Sequence, residues 1–159
     1  MVTLSWLKLT AVGGFIAALA VFVPERASAQ SLMITLASDI ALGSWTGSGD
    51  KQGTAAVCVY YDLGSSYTIS ASATGGSFSL TGTATPITYT VDYTDSQSGG
   101  VYTSLPYGAG RTFGGADQSS QTCGGVPNGT VRVTVSEAAL SAARPGSYSS
   151  TLTLIVTPA

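Results

Sequence analysis

Few side chains among the 159 residues could make or break covalent bonds. Histidine is absent, which removes the commonest general base, the usual base of a catalytic triad and the commonest metal ligand. Cys58 and Cys123 are the only thiols; free, they offer a nucleophile, and paired, they offer none. The carboxylates nearest each other in sequence are Asp92 and Asp95, in "DYTDS". Two carboxylates can hydrolyse a glycosidic bond between them. Here Asp92 falls on the outward side of an alternating strand, and Asp95 falls in a turn, where aspartate is favoured anyway. Both read as structural. "PYGAGRTFGG" has glycines but neither the lysine nor the following helix of a phosphate loop. "NGT" at Asn128 matches a glycosylation sequon, yet Asn-Gly is also a turn signal, and a turn is the expectation. No catalytic residue, cofactor or metal is expected, and an enzyme is the weakest function class.

The elements that would hold any site begin after a leader. Lys8 is followed by the apolar run "LTAVGGFIAALAVFV", then Pro24, then "ASA". That order is the one found in secretory signal peptides, with cleavage between Ala29 and Gln30. The competing reading is a membrane anchor, but the run is short of the roughly 20 residues that span a bilayer. Residues 1–29 are therefore expected to be a cleaved signal and 30–159 a single domain that does not span a membrane, exported to the periplasm and then the cell surface. Without Lys8, Glu25 and Arg26, the six Lys/Arg and eight Asp/Glu become four and seven, a net charge of −3. No basic patch exists to neutralise phosphates, so nucleic acid is excluded as a partner. In an oxidising compartment Cys58 and Cys123 are expected to form a disulfide rather than remain free buried thiols. It would close a loop of about 65 residues, worth roughly 4 kcal/mol in the chain-entropy model.

Within 30–159 the signals are those of strands. Charged residues make up only 9% of the chain, but 44% hydrophobic content argues against disorder. "LMITLAS" and "DIALGSW" read as strands, then "TGSGDKQG" as a loop and "TAAVCVYY" as a strand buried on both faces. "SYTISASA" and "ITYTVDY" alternate cleanly; "SFSLTGTA" and "GGVYTSLPYG" are shorter candidates. Residues 109–129 read as loop, and "GTVRVTVSE" as a strand with Val131, Val133 and Val135 inward. Only "SEAALSAARPG" could form a turn or two of helix. Residues 148–157 read as one long strand, with Tyr148, Leu152, Leu154 and Val156 at even spacing. Eight or so short strands between Gly- and Ser-rich turns predict an all-β, immunoglobulin-like sandwich. The long apolar final strand has no successor in the sequence and needs a neighbour from elsewhere, or it becomes an exposed edge.

"TAAVCVYYDLGSSYTISASATGG", "ITYTVDYTDSQSG" and the closing "ARPGSYSSTLTLIVTP" follow an order that resembles the spore coat protein U domain family, over roughly residues 36–158. Its best-known members are subunits of archaic chaperone-usher pili of the Csu type. The resemblance implies a sandwich lacking its last strand, completed by donor-strand exchange. The groove beside the strand carrying Tyr148, Leu152, Leu154 and Val156 would be filled first by a periplasmic pilus chaperone. At an outer-membrane usher, another pilus subunit would then supply the strand, and the fibre would serve adhesion or biofilm formation. Family members often pair the cysteine matching Cys58 with one in the first strand; that residue is absent here, leaving Cys123. If "ITLASDIALG" is the first domain strand, the protein can accept a donor but scarcely supply one. If instead Leu32, Ile34 and Leu36 form a donor, it is an ordinary repeating subunit. A different class remains open: a self-contained binding module, such as a carbohydrate-binding sandwich stacking sugars on Trp45, Tyr102 and Tyr107.

Overall fold

A computed structural model describes residues 30–82 and 85–159. The expected signal peptide, including Ala29 on one side of the cleavage point, lies outside the described residues. No helix among those described is long and apolar enough to cross a membrane.

The all-β expectation holds. In chain order the strands are β1 (Leu32–Leu36), β2 (Lys51–Tyr61), β3 (Tyr67–Ala73), β4 (Ser79–Gly82), β5 (Ile87–Thr88) and β6 (Thr90–Thr94), followed by β7 (Thr103–Ser104), β8 (Gly110–Phe113), β9 (Gly129–Val135), β10 (Tyr148–Ser149) and β11 (Leu152–Pro158). A short helix, α1 (Glu137–Ser141), follows β9, with the Ser136 hydroxyl accepting the Ala139 N–H as its cap. All strand ladders are antiparallel, in sheets ordered β1-β2-β9-β6-β7, β11-β3-β8 and β10-β4-β5.

Alternation sets which side chains reach the core. Along β3, Tyr67, Ile69, Ala71 and Ala73 are buried while their neighbours are not. The same period puts Val131, Val133 and Val135 of β9 and Val91 and Tyr93 of β6 inside, with Ala55, Val57 and Val59 of β2. These residues form one shared core between the five-stranded sheet and the sheet containing β3, an arrangement consistent with a sandwich.

Five expectations need correction. The loop "TGSGDKQG" ends at Asp50, because Lys51, Gln52 and Gly53 already pair with β9 as the start of β2. "DIALGSW" is not a strand. After the Ala37 N–H donates to the Ala56 carbonyl, the chain leaves the ladder and passes close over Gly53, where a Cβ would lie 2.6 Å from Ile40 Cγ2. Ile40 and Leu42 still pack on the core, so the alternation is real but the pairing is not. "ITYTVDY" is two strands: β5 pairs with β4, and after Tyr89 the chain changes sheet so that β6 pairs with β9. The stretch 148–157 divides in the same way, β10 joining β4 and β11 joining β3. Residues 109–129 contain β8, which pairs with β3 and buries little except Phe113.

Candidate functional site

The two cysteines are joined, Cys58 on β2 to Cys123 at the 3-10 turn Cys123–Gly125, across 65 residues with Cα atoms 5.8 Å apart. No thiol is free among the described residues. The bond anchors the segment between β8 and β9, which is also stitched to β2 by main-chain bonds. Tyr61 N–H donates to the Asp117 carbonyl at 2.8 Å, and Asp117 N–H to the Val59 carbonyl at 2.9 Å. The Asp117 carboxylate accepts the Ser119 and Ser120 N–H groups and the Ser119 hydroxyl, and these bonds lower its pKa. Asn128 completes the seam: its amide oxygen accepts the Val59 N–H, and its NH2 donates to the Val59 and Gly115 carbonyls. An asparagine engaged by all three bonds is a structural bracket, and the expected turn is not formed: the Asn128 N–H donates to the Val57 carbonyl and Gly129 already opens β9.

The carboxylate pair is also occupied structurally. Asp92 faces Arg132 across the β6–β9 ladder and accepts its Nη2 at 2.8 Å. Asp95 accepts the Gly114 N–H. Of the three aromatics considered for sugar stacking, Tyr102 lies under the Arg132 guanidinium, 3.9 Å from its ring centroid. Tyr107 donates to the Ala73 carbonyl and packs edge-on against Phe78. Trp45 lines a cleft that neither of them lines. The structure does not bring the three together.

It does bring β1 and β11 together. β1 pairs with β2 at one edge, β11 pairs with β3 at one edge, and among the described residues no strand pairs with the other edge of either. These free edges are neighbours, approaching within 8 Å between Cα atoms. A strand seated between two others needs roughly 9.6 Å, twice the interstrand spacing, so an incoming strand would have to part them.

Along both edges the apolar side chains reach the core but are incompletely covered. Leu32 and Ile34 of β1, and Leu152, Leu154 and Val156 of β11, are half-buried against it, while Val57, Ile69 and Val131 on the inner strands are 0% exposed. Leu36 is 45% exposed. Tyr148, expected on the same strand as Leu152, Leu154 and Val156, sits instead on β10 beside Gly82. Leu32, Ile34 and Leu36 are a strand of this chain's own sheet, with Gln30 just before it donating to the Tyr61 hydroxyl.

At one end the two edges open into a cleft of about 350 Å³ lined by Leu36, Ile40, Leu42, Leu80, Ser150 and Leu152, among others. The Ser150 hydroxyl is buried there without a hydrogen-bond partner among the described residues, the condition of a polar group that lacks a neighbour. The sequence carries no sign of this cleft, because it is created by the two departures from regular pairing, at residues 39–45 and at Ser150-Thr151. Comparison with protein-family models and with curated proteins gave no match to this chain.

Proposed function

We propose that this chain is a secreted structural subunit of a chaperone-usher type pilus or a similar surface assembly, polymerising by donor-strand complementation. Its immunoglobulin-like sandwich lacks one strand. A periplasmic pilus chaperone supplies it first, and another subunit supplies it at the outer-membrane usher, yielding a surface fibre for adhesion or biofilm formation. The proposal rests on the resemblance of the sequence and on one observation: the unpaired edges of β1 and β11 lie side by side, with alternate apolar residues half-buried on each. A strand added there would gain main-chain hydrogen bonds from an edge and place every second side chain onto the core. The free Ser150 hydroxyl would gain a polar neighbour in the same step.

The test uses the two faces of β11. Leu154 is half-buried toward the core and Thr153 is exposed. Leu154→Lys is expected to abolish capture by a co-expressed pilus chaperone and the formation of polymers. Thr153→Lys, a surface change worth within about 0.5 kcal/mol, is expected to leave both intact. Both variants must retain the Cys58–Cys123 bond and a β-type circular dichroism spectrum. Equal damage from both would mean that β11 is simply a strand of a closed fold, the case of a self-contained binding module.

A further inference from the structure

A larger cleft, of about 630 Å³, shares no lining residue with the one at Leu36 and Leu152. That volume falls within the range of small-molecule sites, roughly 300–1,000 Å³. It lies between the connection from β1 to β2 and the segment that follows α1. Its apolar lining includes Ile87 and Leu140, and Trp45 and Tyr148 present two aromatic rings. Arg144 supplies its one cationic lining residue, with Ser44, Ser141 and Ser147 as hydroxyl groups.

Both rings are held in place before any ligand arrives. The Trp45 indole N–H donates to the Gly49 carbonyl at 2.9 Å, closing its own loop. That loop is tied to α1 by a reciprocal pair: Gly49 N–H donates to the Glu137 carboxylate, and Glu137 N–H donates to the Asp50 carboxylate. The Tyr148 hydroxyl donates to the Arg144 carbonyl at 2.8 Å, closing the 144–148 turn. Its ring lies so close over Gly82 that a Cβ there would collide with it. With their polar atoms already satisfied by their own loops, the rings have only apolar faces left to offer.

Charge narrows the ligand. Arg144 pairs with no carboxylate among the described residues. No acidic side chain is among the cleft's lining residues, and Asp50 and Glu137 are engaged at the start of α1, whereas Arg144 follows its end. A guanidinium fork matches a carboxylate in two parallel hydrogen bonds. Aromatic faces suit the C–H face of a pyranose, and serine hydroxyls both donate to and accept from ring hydroxyls. We infer that the Trp45–Tyr148–Arg144 cleft binds a carboxylate-bearing pyranose, a uronic-acid unit of an acidic polysaccharide. The assignment is independent of strand exchange and holds whether or not the protein polymerises.

The experiment titrates the mature protein, residues 30–159, with a galacturonic acid trimer and with the neutral galactose trimer, following tryptophan emission. Trp45 is the only tryptophan outside the expected signal peptide, so emission reports on the cleft, and Trp45→Ala, which removes the ring, is followed by calorimetric titration instead. The expected result is a saturable emission change with the acidic trimer, a calorimetric affinity for it that weakens in Trp45→Ala, and affinity for the neutral trimer lower by about fivefold, one modest ion pair. Arg144→Gln, an exposed position, should fold normally and erase that preference in calorimetric titration. No saturable change up to about 10 mM, the weak limit of specific binding, would overturn the inference. An unchanged preference in Arg144→Gln, or an unchanged affinity in Trp45→Ala, would overturn it equally.

Discussion

Tyr67 and Tyr93 meet hydroxyl to hydroxyl at 2.9 Å in the centre of the core, both 0% exposed. Phe113 packs edge-on against the Tyr93 ring at 4.7 Å, and no side chain larger than that of Gly129 would fit under the Tyr93 hydroxyl. Burial, which disfavours a phenolate, pushes Tyr67 up to about 12 against a hydrogen bond from Tyr93 that lowers it, and pushes Tyr93 higher still. An unfolded tyrosine ionises near 10. Between about pH 10 and 12 the unfolded chain therefore sheds protons that the folded chain keeps, and this contribution to stability is complete below pH 10 and lost as pH rises through 12. Urea unfolding midpoints should fall across that window, and the Tyr67→Phe/Tyr93→Phe double variant should show a flatter profile. A wild-type midpoint constant from pH 9 to 12 would refute the coupling. At this scale the disulfide was legible, because two cysteines allow only one intramolecular pairing. The bracket made by Asn128 was not legible: "NGT" suits a sequon or a turn, the chain instead runs straight into β9, and the partners Val59 and Gly115 come from elsewhere along the chain.

Among the elements, Gly53 shows how a local rule and a tertiary contact combine. It lies within β2, where glycine weakens a strand, and it does so because the 39–45 segment crosses directly above it. Gly53→Ala would press on Ile40 Cγ2 and on the Ala41 carbonyl, the latter 3.1 Å away. A cost of about 1–2 kcal/mol is expected, read as a lower urea midpoint, and partly recovered by adding Ile40→Val. No loss of stability would mean that the segment does not rest on β2. Elements with strict alternation, β3, β6 and β9, were legible because period-2 burial is written in their residues. The breaks at Tyr89 and at Ser150-Thr151 were not, since an alternating pattern continues across a change of sheet when the chain keeps facing the same core. β8 was invisible for the opposite reason. "GRTF" has one apolar residue, and its pairing with β3 comes from the Thr68–Thr112 and Tyr67–Phe113 contacts.

For the whole molecule, the core is dense at its centre and thin along one side. Inner strands are sealed, while β1 and β11 leave half-buried leucine, isoleucine and valine along adjacent unpaired edges. Exposed edges of this kind invite pairing with another chain, and under the proposed function this pairing is the protein's use. The sequence indicated the need for a neighbour through the alternation of Leu152, Leu154 and Val156. It could not indicate that β1 would lie against the same opening, because that depends on how the two sheets close. Amide hydrogen exchange of the isolated protein, compared with the chaperone-bound or polymerised protein, tests the claim most directly. The amides of β11 that do not bond to β3 should exchange at least about tenfold more slowly once a strand is added, while β2, β3 and β9 change little. Unaltered exchange along β11 in a complex or fibre that has demonstrably formed would contradict it.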